Sequence, residues 1–175
     1  MKIKYILFDW DGTLGIEGKR QEFINAKTKA EKLQFLQIHV YETIKNLYDN
    51  KVYMGILSNT HINGHDIRES MNVAGLSSFF DVQVYTSDYG VPGEKPDKVT
   101  FDYAFSKIKD VHPEIEKENI LYVGNSYFHD VIGSWNAGMY TSYIVNENLI
   151  KYYLAMSLHL PKFVLYTMTD LLDYV

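Results

Sequence analysis

Ile3-Lys4-Tyr5-Ile6-Leu7-Phe8-Asp9-Trp10-Asp11-Gly12-Thr13-Leu14 is the stretch on which the reading of this chain turns. A run of β-favouring apolar residues ends abruptly in two aspartates one residue apart, followed by Gly and Thr. The run is too short for a helix and reads as a buried strand, and the Asp-x-Asp-Gly that follows reads as a turn at its carboxyl end. Further runs of the same kind recur at Val52–Leu57, Val82–Thr86, Ile120–Val123, Thr141–Val145 and Phe163–Tyr166. The segments between them carry helical periodicity, with Leu33, Leu36, Val40, Ile44 and Leu47 near helical spacing in Ala26–Tyr48, read as one long helix or two joined. Ile62–Ala74 stops at Gly75, Pro96–Ile108 opens with proline at its first position, and Phe128–Ala137 stops at Gly138. A last short helix is expected at Thr169–Tyr174. Strands alternating with helices predict an α/β fold with a parallel sheet. At 175 residues, without a linker or repeat, residues 1–175 are expected to form a single domain.

In open α/β sheets, ligands sit beyond the carboxyl ends of the strands. The residues that follow the apolar runs are therefore the informative ones. Asp9 and Asp11 follow the first, Ser58-Asn59-Thr60 the second, and Gly124-Asn125-Ser126 the fourth, with Asp130 beginning the next helix; Lys95 stands before Pro96 at a helix start. Each is ordinary turn or cap chemistry when taken alone. Together, in this order and at these places, they describe phosphoryl transfer. Two neighbouring carboxylates in a partly buried site raise each other's pKa unless a cation joins them. Mg²⁺ suits the task, because it takes one or two carboxylates plus substrate phosphate and keeps several waters. One carboxylate can then attack phosphorus and the other can serve the leaving group as acid and water as base. Ser58 and the Lys95 ammonium would hold the phosphoryl oxygens.

These segments resemble the four motifs of the haloacid dehalogenase-like (HAD) hydrolase superfamily, from Ile3 through Asn136-Ala137-Gly138-Met139. Gly93-Glu94-Lys95-Pro96-Asp97 and Pro161-Lys162-Phe163-Val164-Leu165 are similar to that group as well. The resemblance implies a Rossmann-like sheet of order 5-4-1-2-3 flanked by helices. It implies Asp9 as nucleophile and metal ligand, and Asp11 as general acid/base with its carbonyl on the metal. Ser58 and Asn59 would bind phosphate and Lys95 would bridge nucleophile and phosphoryl group. Asn125 and Asp130 would complete the Mg²⁺ site. The implied activity is a Mg²⁺-dependent phosphomonoester hydrolase working through an aspartyl-phosphate on Asp9.

Two departures from the family pattern matter. Asn125 stands where most family phosphatases carry aspartate, so the metal site loses a charge. Haloacid dehalogenases also place an asparagine in this region, but they lack the second aspartate corresponding to Asp11 and need no metal. C–halogen hydrolysis is thus one alternative, and a non-catalytic binding module weakened by Asn125 is another. The second departure is length. Only about Gly15–Lys29 is free for insertion between the first two motifs, so little or no cap is expected over the site. The substrate would be a small phosphorylated metabolite or a bulkier phosphorylated molecule.

Composition narrows the rest. A formal charge of −5 without a basic stripe speaks against nucleic-acid binding, and the absence of cysteine removes thiol catalysis and thiolate metal sites. No membrane span or leader is legible, which gives a cytoplasmic expectation. The amphipathic stretch Glu147–Leu160 reads as core-facing, with homodimerisation through it as the alternative. His61, His65 and His129 flank the motifs and read chiefly as polar surface. Tyr127 and Phe128 are placed to line the site entrance, and Trp10 to pack beside it.

Overall fold

A computed structural model describes residues 3–145 and 160–175. The amphipathic stretch expected at Glu147–Leu160 lies, apart from Leu160, outside the described residues. Six strands form one parallel sheet: β1 (Tyr5–Phe8), β2 (Tyr53–Ser58), β3 (Val82–Tyr85), β4 (Ile120–Gly124), β5 (Tyr140–Ile144) and β6 (Phe163–Leu165), in the order β3-β2-β1-β4-β5-β6. Read from the other edge, the first five give the expected 5-4-1-2-3 with β1 central, and β6 extends the sheet beside β5.

The central strand is buried on both faces, as its continuous apolar run requires. Side chains alternate across it. Ile6 and Phe8 join Met54, Ile56, Leu121 and Val123 on one side, under helices α3 (Val40–Asp49) and α4 (Gly64–Ala74). Tyr5 and Leu7 join Leu57, Val84 and Tyr122 on the other, under Phe101, Ala104 and Ile108 of α5 (Lys98–Val111). The helix α4 ends at Gly75 in the left-handed conformation, as the stop signal anticipates.

Three helices differ from the sequence expectation. Ala26–Tyr48 is not continuous: α1 (Arg20–Asn25) and α2 (Lys29–Leu33) are short, and residues 34–39 leave helical form before α3 begins. The reason is tertiary. The main chain there bonds to the loop after β1, Ile16 N–H to Phe35 O at 2.9 Å and Gln37 N–H to Leu14 O at 2.9 Å, in place of its own preceding turn. The helix α5 starts at Lys98 behind Asp97, so Pro96 lies in the approach to the helix and not at its first position. Phe128–Ala137 begins as a wide π-helical turn, Tyr127–Ile132, and becomes α6 only at Gly133–Asn136. In that turn the Ser126 N–H donates to Asp130 Oδ2 at 2.9 Å, which draws the aspartate back toward the end of β4. The segment Gly15–Lys29 is not a free insertion either. Its α1 buries Phe23 against Trp10, ring centroids 5.0 Å apart, and no separate cap is present among the described residues. No helix among the described residues is long and apolar enough to cross a membrane.

Candidate active site

Parallel pairing in register places Phe8 opposite Ile56 and Val123, so Asp9, Ser58 and Asn125 all emerge at the same sheet edge. The structure brings the distant sequence candidates together there. Lys95, only 5% exposed, reaches in from the loop before α5 and divides its three ammonium donors. They go to Asp9 Oδ1 at 2.7 Å, Asp130 Oδ1 at 2.6 Å and Tyr122 Oη at 2.9 Å. Burial, the largest influence, pulls the Lys95 ammonium down, but Asp130 and Asp9 more than reverse it and hold it above the ordinary lysine range. Burial pushes the Asp130 carboxyl up, with Lys95 the main opposing influence.

Asp9 is buried, and Ser58 donates to the same Oδ1 at 3.1 Å. Asp9 Oδ2 accepts no hydrogen bond among the described residues and is the oxygen left for other work. Asp11 is half-buried. Burial is the largest influence on its carboxyl and pushes it above the usual aspartate range, while the neighbouring Arg20 guanidinium opposes the shift. Asp11 Oδ1 is buried without a hydrogen-bond partner among the described residues.

Asn59 sits in the site but turns away from it. Its amide accepts from the Lys95 N–H at 2.9 Å and donates to the Lys95 carbonyl at 3.0 Å, a reciprocal clamp on the lysine main chain. Asp130 is likewise held inside the protein. Its Oδ1 faces Lys95 and Tyr122, its Oδ2 takes the Ser126 N–H, and a Cβ on Gly124 would lie 2.3 Å from its carboxyl carbon. Asn125 lies over the loop after β1: Thr13 Oγ1 donates to its Oδ1 at 3.4 Å, and a Cβ on Gly12 would meet its Nδ2 at 2.1 Å. Gly12 also has φ +74°, so both space and backbone demand glycine there.

Whether this set suits Mg²⁺ can be judged from its donors. Among the described residues no group of three His, Cys, Asp or Glu side chains is placed to hold a metal ion, as follows from Asn125 and from Lys95 engaging Asp9 and Asp130. Mg²⁺ asks only for hard oxygens of mixed type. The Asp9 carboxylate, the Asn125 amide oxygen and the Asp11 carbonyl, which accepts no main-chain hydrogen bond among the described residues, supply them. The residues present fit the ion, with Asp130 acting on Lys95.

Two residues share the site that motif reading does not single out. Tyr122 stands inside an apolar run, where nothing marks its hydroxyl. Its Oη is 2.9 Å from the Leu57 carbonyl and receives Lys95. Arg20 comes from α1 and is 4% exposed. It pairs with Asp11 Oδ2 at 2.9 Å and donates to Ser58 Oγ at 2.7 Å and to the Asn59 carbonyl at 3.3 Å. The only sequence signal for it is a cation close after the Asp-x-Asp turn. Beside these groups a cleft of about 980 Å³ opens between Gly12, Thr13 and Asn125 and a wall of Tyr127, Phe128, Tyr143 and Tyr166. Tyr127 and Phe128 line this cleft together with Gly12 and Asn125. Of the histidines, His129 Nδ1 is 3.0 Å from Ser126 Oγ and His65 Nε2 is 3.5 Å from Glu69.

Comparison with known proteins gives a consistent picture. A family described as haloacid dehalogenase-like hydrolase matches residues 16–144. An uncharacterized hydrolase of Schizosaccharomyces pombe is 30% identical over 111 residues, covering 62% of this chain and 46% of that protein. Pyrimidine 5'-nucleotidase YjjG of Escherichia coli is 31% identical over 137 residues, 77% of this chain and 56% of that one. The chain thus spans about half the length of these curated relatives. Among solved structures, the HAD-hydrolase YfnB of Bacillus subtilis, bound to magnesium, superposes with a TM-score of 0.70 at 14% identity, covering 99% of this chain and 98% of that one.

Proposed function

We propose that this chain, which belongs to the haloacid dehalogenase-like hydrolase family, hydrolyses phosphate monoesters through an aspartyl-phosphate on Asp9. The observation that carries the reading is the asymmetry of the Asp9 carboxylate. One oxygen is fixed by Lys95 and Ser58, and the other accepts no hydrogen bond among the described residues. A buried carboxylate held in one orientation with one bare oxygen is a preorganised nucleophile.

Asp9 Oδ2 forms the bond to phosphorus as the bond to the leaving oxygen breaks, and the Asp11 carboxyl gives its proton to that oxygen. Water then attacks the acyl phosphate, Asp11 takes a proton from it, and inorganic phosphate departs with Asp9 regenerated. The raised Asp11 carboxyl supports the acid half of this cycle. Ser58 and Lys95, whose donors rest on Asp9 Oδ1 in the absence of substrate, would share them with the phosphoryl oxygens as charge builds there. Asn59 and Asp130 fix Lys95 from the main-chain and side-chain ends. Asp9, Asp11 and Asn125 would hold Mg²⁺, which supplies charge neutralisation between carboxylate and phosphate. The cleft beside Asn125 would take the leaving group. Its aromatic wall and the likeness to a pyrimidine 5'-nucleotidase make nucleoside monophosphates the first class to assay.

The test is turnover of uridine monophosphate and p-nitrophenyl phosphate with Mg²⁺. Asp9→Asn is expected to abolish it and chelation to suppress it. Metal-dependent turnover surviving in Asp9→Asn refutes the reading. Asn125 also favours C–halogen hydrolysis as a second reading, which requires halide release without metal and indifference to Asp11→Ala.

A further inference from the structure

Arg20 has no part in the reaction as written above, yet it is the most deeply committed cation in the site after Lys95. A buried guanidinium is costly, and an apolar residue of similar volume would fill its place on α1 with less desolvation. Its Nε has no hydrogen-bond partner among the described residues, so full satisfaction of its donors there does not account for its burial. What it does contact is specific. One nitrogen, Nη2, lies 2.9 Å from Asp11 Oδ2 and 2.7 Å from Ser58 Oγ, and Nη1 lies 3.3 Å from the Asn59 carbonyl.

We propose that Arg20 is a positioning residue that orients the acid/base aspartate and the phosphate-holding serine together, an inference that rests on the hydrolase reading. A guanidinium only donates and does not lose its proton in a protein. Ser58 Oγ must therefore be the acceptor from Arg20, and its own hydroxyl proton is directed elsewhere, to Asp9 Oδ1 at 3.1 Å. Arg20 thus fixes the Ser58 proton toward the reacting atoms and polarises that hydroxyl as a donor. On the other side, the same nitrogen occupies Asp11 Oδ2, leaving Oδ1, which has no partner among the described residues, as the oxygen able to exchange a proton with substrate. The third contact closes the set, because the Asn59 whose carbonyl it holds is the residue that clamps the Lys95 main chain. One side chain from the short segment between the first two motifs so ties Asp11, Ser58 and Lys95 into a single arrangement. In this chain that segment carries no cap, and delivering Arg20 is what it contributes to the site.

The experiment compares wild type, Asp9→Asn, Arg20→Met, Arg20→Ala and Arg20→Lys on p-nitrophenyl phosphate with Mg²⁺, with circular dichroism as the check on folding. Arg20→Met and Arg20→Ala should lower kcat by roughly 10- to 100-fold, the scale on which small misplacements of catalytic groups act. KM should stay within about twofold, since Arg20 holds the groups that act and not the substrate. Arg20→Lys, which keeps the charge and loses the fork, should fall between. Guanidinium at millimolar concentration should raise turnover several-fold in Arg20→Ala alone, an effect that a merely structural role would not produce. A folded Arg20→Met with undiminished kcat overturns the proposal, as does a KM increase at constant kcat. Should Arg20→Met and Arg20→Ala not fold, Arg20→Lys with wild-type kcat overturns it equally. Wild-type turnover that is absent or survives in Asp9→Asn overturns the hydrolase reading and this inference with it; normal turnover with indifferent Arg20 variants overturns this inference alone.

Discussion

Replacing Lys95 by Met removes the one ammonium between two buried carboxylates, and the structure gives the size of the consequence. At 2.7 Å to Asp9 and 2.6 Å to Asp130, each attraction amounts to about 6 kcal/mol at an effective dielectric of about 20. Much of that offsets the desolvation of three buried charges, at several kcal/mol per ion, so the pair's net worth is far smaller than the sum. Removing one partner is different, because the desolvation of Asp9 and Asp130 remains while their compensation is gone; the expected loss is about 3–5 kcal/mol. The deficit should depend on pH with a definite sign. Burial already raises the folded Asp130 carboxyl, and Lys95 is what chiefly opposes this, so Lys95→Met raises it further. A carboxyl whose folded pKa lies above its unfolded value costs stability as pH rises from the unfolded value, about 3.9, through the folded one. The variant should therefore approach wild type near pH 4 and fall away from it with a slope of up to about 1.4 kcal/mol per pH unit, flattening above the raised pKa. Urea unfolding of both proteins from pH 4 to 8.5, with chelator present and unchanged m values, measures this directly. Adding Asp130→Asn to Lys95→Met should recover part of the loss at pH 8. A deficit below about 1 kcal/mol at pH 8, or one that does not vary with pH, refutes the reasoning.

Gly124→Ala places a Cβ 2.3 Å from the carboxyl carbon of Asp130, which Lys95, Tyr122 and Ser126 hold in place. We expect about 1–3 kcal/mol of destabilisation in thermal or urea unfolding, accompanied by reduced kcat as Lys95 shifts; full activity in the variant would show that Asp130 does not position the lysine. Asn125→Asp returns a negative charge to the proposed metal site. The Mg²⁺ concentration for half-maximal turnover should drop about tenfold, the equivalent of about 1.4 kcal/mol of added attraction, and an unchanged titration would place Asn125 away from the ion.

The fold and the convergence of the candidate residues were legible because both rest on local rules. An apolar run buried on both faces must be a strand, a periodic segment after it must be a helix, and parallel pairing then sends every strand's carboxyl end to one edge. Asp9, Ser58 and Asn125 are read off as neighbours on that logic, although 49 positions separate the first two. The helix breaks were not legible. Residues 34–37 carry the periodicity of a helix, but the Gln37 N–H goes to Leu14 and the Phe35 carbonyl to Ile16, a choice that local propensity does not contain.

What the sequence by itself determined, then, is the alternation of strands and helices and the gathering of Asp9, Ser58 and Asn125 at one edge of the sheet. Only the tertiary structure decided which of the motif residues brace others: Asn59 clamps the Lys95 main chain, and Asp130 anchors its ammonium. Only it drew in Arg20 and Tyr122. The physical reason is that a strand or a helix is specified by spacing along a few residues. The partner of a buried charge is specified by whatever the completed fold brings within about 3 Å, as Lys95 and Asp9 meet across 86 positions of chain.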